Sequence, residues 1–133
     1  MPEGPNEKLY AGAAINPPDE VARCEFAYAE LDVTTNFSFL RGASHPDELV
    51  YTSALLGYRA MAITDVNSLA GVVRAFDAAR KIKGFKLIVG ARLVFNDGAD
   101  DLLVWPIDRA AYARLCKLLT LGRRRAKKGE CHL

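Results

Sequence analysis

Imidazole and thiol are scarce in this chain: two histidines and three cysteines in 133 residues. Cys24, Cys116 and Cys131 are odd in number and far apart, with no CxxC pair. That spacing argues against a zinc knuckle, a redox dithiol or a disulfide framework, and the thiols are expected to be reduced and unpaired. His45 precedes a proline at a helix start and His132 falls in a terminal Gly-Glu-Cys-His stretch, so both read as turn or surface residues. Metal binding by histidine needs partners around the ring, and neither neighbourhood supplies them. No apolar run nears the roughly 20 residues of a membrane span. The opening MPEGPNEKLY lacks the positive-then-apolar order of a secretory leader, which sets the expectation of a cytoplasmic chain. A GxxxxGK phosphate loop and a Ser-His-Asp constellation are absent too, and Gly71 stands alone inside a helical pattern.

What is present is core-forming material. Half the residues are apolar, enough for one domain with a packed interior. The formal charge is +2, but Arg123, Arg124, Arg125, Lys127 and Lys128 hold five of the eighteen positive charges. Without them thirteen cations face sixteen acidic residues, so a mildly acidic body carries a basic end. That run invites contact with nucleic-acid phosphates through counterion release. No aromatic residues are interleaved with it, however, and a solvated helix end with cations at its negative pole is the plainer account.

Residues 1–26, with Pro2, Pro5, Pro17 and Pro18, show neither a period of 2 nor one of 3.6, and are expected to form a flexible amino-terminal arm. The domain, 27–133, is expected to begin near Phe26. A strand over Ala27 to Val33 precedes a polar loop, and Ser44, Pro46 and Asp47 form a helix start that runs to a stop at Gly57. Arg59 to Thr64 reads as a buried strand. Leu69 to Lys83 reads as a helix with Leu69, Val72, Val73, Phe76 and Ala79 on its apolar face and Gly84 at its end. Lys86 to Val89 and Arg92 to Phe95 are strand-like, and Asn96-Asp97-Gly98 turns the chain into Leu102 to Trp105 as a hairpin. A last helix covers Ala110 to Leu121, with Tyr112, Leu115, Cys116, Leu118 and Leu119 apolar and Gly122 as its stop.

Strands alternating with helices predict parallel strands and an α/β fold, either an open sheet or part of a barrel. Ligands in such folds sit at the carboxyl ends of strands, which brings together Asp32 to Thr34, Asp65 to Asn67 and Arg92. A closed eight-unit barrel takes around 250 residues, so only about the first half fits here. An open sheet would leave an edge strand able to recruit a partner chain, and self-association through that edge is one expectation.

The run YAELDVTTNFSFLRGASHPDEL, residues 28 to 49, resembles the opening motif of the PHP superfamily as it occurs at the start of bacterial C-family DNA polymerases. MAITDVNSLAGVVRA, residues 61 to 75, resembles the second PHP motif. LIVGARL and the segment from LLVWPIDRAAYARL to the end resemble the continuation in the error-prone relative of the replicative α subunit. The resemblance implies a distorted β/α barrel, TIM-like, with metals at the strand ends and phosphoester hydrolysis in active members.

The same resemblance allows each ligand position to be checked. The His-x-His of the opening motif falls on Asp32 and Thr34, Thr-Asp-His falls on Thr64, Asp65 and Val66, and Gly-x-Glu falls on Gly90, Ala91 and Arg92. Valine cannot bind a metal, threonine is a poor ligand, and arginine stays cationic. A vestigial site with no metal or other cofactor and no catalytic residue is therefore expected. Asp32 and Asp65 could pair with Arg92 across the strand ends, or could cap loops and helix starts. The expected role is a noncatalytic PHP segment of a translesion, DNA-repair type polymerase, held against the rest of that polymerase or its accessory proteins. A metal-dependent phosphoesterase and a stand-alone dimerising module are the alternatives. Polymerisation by these residues is not expected, since the nucleotidyl-transfer carboxylates of the resembled enzymes lie beyond the PHP domain.

Overall fold

The computed structural model describes residues 15–133. In chain order the elements are β1 (Ala29–Val33), α1 (Pro46–Leu55), β2 (Ala60–Ile63), α2 (Val72–Ala79), β3 (Lys86–Val89), β4 (Ala91–Leu93), β5 (Leu102–Val104) and α3 (Arg109–Arg124). The first three strands form a parallel sheet in the order β1-β2-β3, and β4 pairs with β5 antiparallel. The α/β class and the hairpin thus follow the sequence pattern. No closed sheet forms among the described residues.

All four residues of β2 are buried, as a central parallel strand requires. Met61 and Ile63 pack against Val50 and Ala54 of α1 and Ala75, Ala78 and Ala79 of α2. Burying a side chain of that size stabilises by about 1.5–3 kcal/mol. A second cluster joins Ala91 and Leu93 of β4 to Leu115 and Leu119 of α3, with Leu69 and Leu133 packed on it.

The helices depart from the sequence reading in instructive ways. The second is shorter than Leu69 to Lys83, and its buried face is Val72, Ala75, Ala78 and Ala79. Val73 and Phe76, expected inside, are 75% and 59% exposed. Val72 and three alanines thus form the buried face, the alanines packed with Val50 and Ala54 of α1, and the larger Val73 and Phe76 lie on the exposed side of the helix. Leu69 falls in the turn before the helix and serves the second cluster instead. Gly57 follows the C-cap of α1 with φ +83°, the expected left-handed stop, whereas α2 already ends at its C-cap Arg80 and Gly84, with φ +82°, lies four residues beyond it in the following turn.

Two further boundaries are corrected. The residue capping α1 is His45 rather than Ser44, and the His45 N–H donates to Glu48 Oε2 at 3.0 Å. The last helix runs through Gly122 to Arg124. Gly122 is there for contact: a Cβ would lie 2.6 Å from Leu133 Cδ2 and 2.7 Å from Cys131 Sγ, and its carbonyl accepts the His132 N–H at 3.0 Å. Of the expected apolar face, Leu115 and Leu119 are buried, whereas Tyr112 and Leu118 remain exposed.

The folded unit also begins before Phe26. The Lys83 N–H donates to Asp19 O at 2.8 Å, Val21 N–H to Lys83 O at 3.1 Å and Ala22 N–H to Ala54 O at 2.9 Å. Residues 19–22 therefore belong to the domain rather than to an arm; residues 1–14 of that expected arm lie outside the described residues.

The β1 edge is not the open template expected of it. Its register with β2 shifts between Glu30 and Val33. Within that irregularity Glu30 Oε1 accepts the N–H groups of Leu31 and Asp32 at 3.0 and 3.2 Å, and Trp105 Nε1 donates to Leu31 O at 3.0 Å. These backbone groups are no longer free to pair with another strand. The Tyr28 hydroxyl, donating to Glu30 Oε2 at 2.8 Å, is the main cause that holds the Glu30 carboxyl below the usual range, followed by the Asp32 N–H. A depressed folded-state pKa contributes stability above the unfolded value that is lost as pH falls through the folded one. Replacing Glu30 by Gln is therefore expected to flatten the acid limb of stability below about pH 4.5, read by urea unfolding at stepped pH. An unchanged acid limb would refute that role.

Candidate functional site at the strand ends

The residues singled out from sequence converge at the carboxyl ends of β1 and β2 and on β4. Beyond β2 the chain continues alongside β4: Arg92 N–H donates to Asp65 O at 3.1 Å and Asn67 N–H to Arg92 O at 2.9 Å. This ladder carries Arg92 to the same place as Asp32. Arg92 Nη2 lies 2.5 Å from Asp32 Oδ2, and Nη1 lies 3.7 Å from Asp101 Oδ2. Asp32 Oδ1 accepts the Thr64 hydroxyl at 2.6 Å. The pair is part-exposed, at 26% and 40%, which limits such a contact to about 0.2–1 kcal/mol; its effect is positional.

Asp65 takes a different course. It is fully buried, and no cation stands within ion-pair distance of it among the described residues. The Asp65 carboxyl instead receives three donors: Thr35 N–H at 2.8 Å, Thr35 Oγ1 at 2.8 Å and Ser38 Oγ at 2.7 Å. The expected pairing with Arg92 holds for Asp32 only, while Asp65 follows the loop-capping alternative. The Ser38 hydroxyl also accepts the Val66 N–H at 2.9 Å, and Thr35 Oγ1 accepts the Phe37 N–H at 3.1 Å. One carboxyl thereby fixes the loop after β1 to the end of β2. Thr34 is half-buried, and no side-chain hydrogen bond is formed by it among the described residues.

Several contributors carried little sequence signal. Thr35 and Ser38 lie in a polar stretch legible only as loop. Trp105 crosses from the end of β5 to β1, close enough to Gly90 that a Cβ there would sit 2.8 Å from its Cδ1. Asn67, in the left-handed region at φ 46°, offsets that conformation by pairing its amide with the Val94 peptide at 3.0 and 3.1 Å. Asn in that conformation, just before a helix, was the one available cue.

The remaining candidates stand apart. Arg123 reaches back to donate to Asn67 O at 2.9 Å, while Arg124, Arg125, Lys127 and Lys128 are exposed at and beyond the end of α3. His45 Nδ1 contacts Asn36 Nδ2 at 3.0 Å, and His132 Nε2 lies 3.4 Å from Glu130. Among the described residues no three His, Cys, Asp or Glu side chains gather closely enough to hold a metal ion. Among the described residues no helix is long and apolar enough to cross a membrane.

Error-prone DNA polymerases from Rhodopseudomonas palustris and Caulobacter vibrioides are 56% and 58% identical over 110 and 106 residues, each covering 80% of this chain. The chain spans about a tenth of the length of those relatives. An amidohydrolase from Chromobacterium violaceum, solved with bound sulfate and no metal, superposes with a TM-score of 0.57 at 26% identity, over 74% of this chain and 34% of that one. A Bifidobacterium adolescentis protein described as a metal-dependent phosphoesterase shares the fold at a TM-score of 0.53 and 23% identity, over 83% and 36% of the two chains. The PHP domain model matches residues 30–131, which takes in β1, the Asp65 hub, Arg92 and α3. With that match spanning both the strand-end cluster and the helix that closes the second core, the chain belongs to the PHP domain family.

Proposed function

We propose that this chain is a noncatalytic PHP segment of an error-prone, translesion-type DNA polymerase, serving to scaffold the polymerase or to contact its accessory proteins. The observation that carries the reading is the Arg92 guanidinium lying between Asp32 and Asp101, in the place where the family pattern puts a metal-binding carboxylate. A cation fixed between two carboxylates takes up the charge a metal would need, and it cannot deprotonate to make room. The Asp65 oxygens are turned to the loop donors, and Val66 offers no ligand atom. These residues do not fit a metal cluster, and no hydrolytic step is assigned to them.

The identity to error-prone polymerases supports membership of such an enzyme, with polymerisation residing in other parts of it. The parallel β1-β2-β3 sheet is consistent with the opening portion of a β/α barrel, about its first half. Cytoplasmic location and a place in DNA repair belong to the same proposal.

The test is elemental analysis of protein purified without chelator, together with hydrolysis of a generic phosphoester with added manganese or zinc. Expected are no stoichiometric metal and no turnover. Two metal equivalents, with turnover lost in Asp32→Ala, would establish the phosphoesterase alternative instead. Asp32 is the informative position because it is part-exposed, so its loss leaves the fold intact.

A further inference from the structure

Charge is segregated along this chain far more sharply than the net value shows. Residues 109–133 hold eight cations and one acidic residue, whereas residues 1–108 hold ten cations and fifteen acidic residues. No aspartate or glutamate occurs between Asp108 and Glu130. Elsewhere three cations find carboxylates, Arg80 and Lys81 on Asp77 and Arg92 on Asp32 and Asp101, while Arg23, Arg41, Arg59, Arg74, Lys83 and Lys86 make no ion pair among the described residues but are scattered among acidic neighbours in the sequence. On and after α3 the side chains of Arg114, Lys117, Arg124, Arg125, Lys127 and Lys128 are exposed and make no ion pair or hydrogen bond among the described residues.

The helix dipole accounts for part of this. Cations at Arg124 and just beyond are favoured by the negative end. Arg109 sits in the first turn, where the dipole disfavours it, and Arg114 and Lys117 lie mid-helix, where it has no hold. Positions 114, 117, 121 and 124 recur at intervals of three and four, so they line one side of α3, opposite the buried Leu115, Leu119 and Gly122. That side extends about 15 Å from Arg114 to Arg124. Like charges at such spacings repel, and no internal acid relieves them.

We infer that the outer side of α3 and the segment after it form a continuous phosphate-tracking surface for nucleic acid, bound without regard to sequence. A strip of about 15 Å matches about four successive phosphates of one strand at about 3.4 Å each. A membrane surface fits less well, because among the described residues the large apolar side chains exposed along α3 are Tyr112, Leu118 and Leu121, too little apolar area for interfacial insertion. The inference is independent of whether the strand-end site is vestigial, since none of its residues are used.

Binding of the 133-residue chain to a fluorescein-labelled 20-base-pair duplex, followed by anisotropy between 50 and 200 mM salt, is the test. Affinity is expected to fall on the order of 10³-fold across that range, as for about six phosphate contacts. Arg114→Ala with Lys117→Ala should lower the slope of log K against log salt by about 1.8, at about 0.9 for each contact removed. Lys81→Ala, which removes a cation already paired with Asp77 of α2, should leave the slope unchanged. No binding at 50 mM salt would overturn the inference, as would binding whose slope is insensitive to the Arg114 and Lys117 replacements. Binding to vesicles of anionic phospholipid with none to the duplex would also overturn it. Thermal melts of both variants guard against loss of fold, and alanine at exposed helix positions is expected to preserve it.

Discussion

Replacing Asp65 with alanine is expected to lower the unfolding free energy by about 3–5 kcal/mol, a large share of what a domain of this size holds in reserve. The side chain is fully buried and accepts three hydrogen bonds, from Thr35 N–H, Thr35 Oγ1 and Ser38 Oγ. Each donor loses its partner on truncation in a place water does not reach, and an unsatisfied buried donor costs about 1–3 kcal/mol. Asp65→Asn should cost less, because the amide keeps one acceptor and its NH₂ can donate to the Thr35 hydroxyl. Urea unfolding of the three proteins measures the difference. A loss below about 1 kcal/mol for the alanine variant would mean that the Asp65 hub does not hold the loop.

Gly42→Ala is expected to cost about 3 kcal/mol for a wholly steric reason, at the upper end of overpacking losses. A Cβ at that position would stand 2.3 Å from Thr35 O, 2.6 Å from Thr35 C and 2.9 Å from Thr34 O. All three are backbone atoms, and Thr35 is held by the Asp65 hub, so nothing flexible can yield. Gly98→Ala is the comparison. It has a positive φ of +82° but nothing within 4 Å of the added carbon, so only the conformational cost of about 1–2 kcal/mol applies. Equal losses at the two positions would show that the loop relaxes around the methyl. Because Gly42 and Asp65 act on one loop, their combined loss should fall short of the sum.

The two variants probe what was hardest to read from the chain. Thr35, Ser38 and Gly42 sit in a stretch whose composition says loop and nothing more, and the spacing from Thr35 to Asp65 is 30 residues. No local pattern reports which of two nearby aspartates will meet the arginine. The choice is made by direction: Arg92 runs beside the chain at Asp65 and bonds its backbone, so its side chain extends past Asp65 to Asp32. The Asp65 side chain meanwhile enters the loop behind it. Similarly, hydrophobicity placed Val73 and Phe76 inside, but the face of α2 that packing buried is Val72, Ala75, Ala78 and Ala79.

By itself the sequence determined the α/β class, the parallel strands and their hairpin, because alternation, glycine stops and turn residues act over a few neighbouring residues. It also set the expectation that Val66 and Arg92 fall on ligand positions of the PHP pattern, since that is read from residue identity along the resembling motifs. Only the tertiary structure decided which carboxyl meets Arg92, what covers the β1 edge, that residues 19–22 join the domain and that Gly122 continues a helix. Those outcomes depend on distances between segments tens of residues apart, which are set by packing and by the pairing of buried polar groups. No periodicity in a single stretch of chain encodes them.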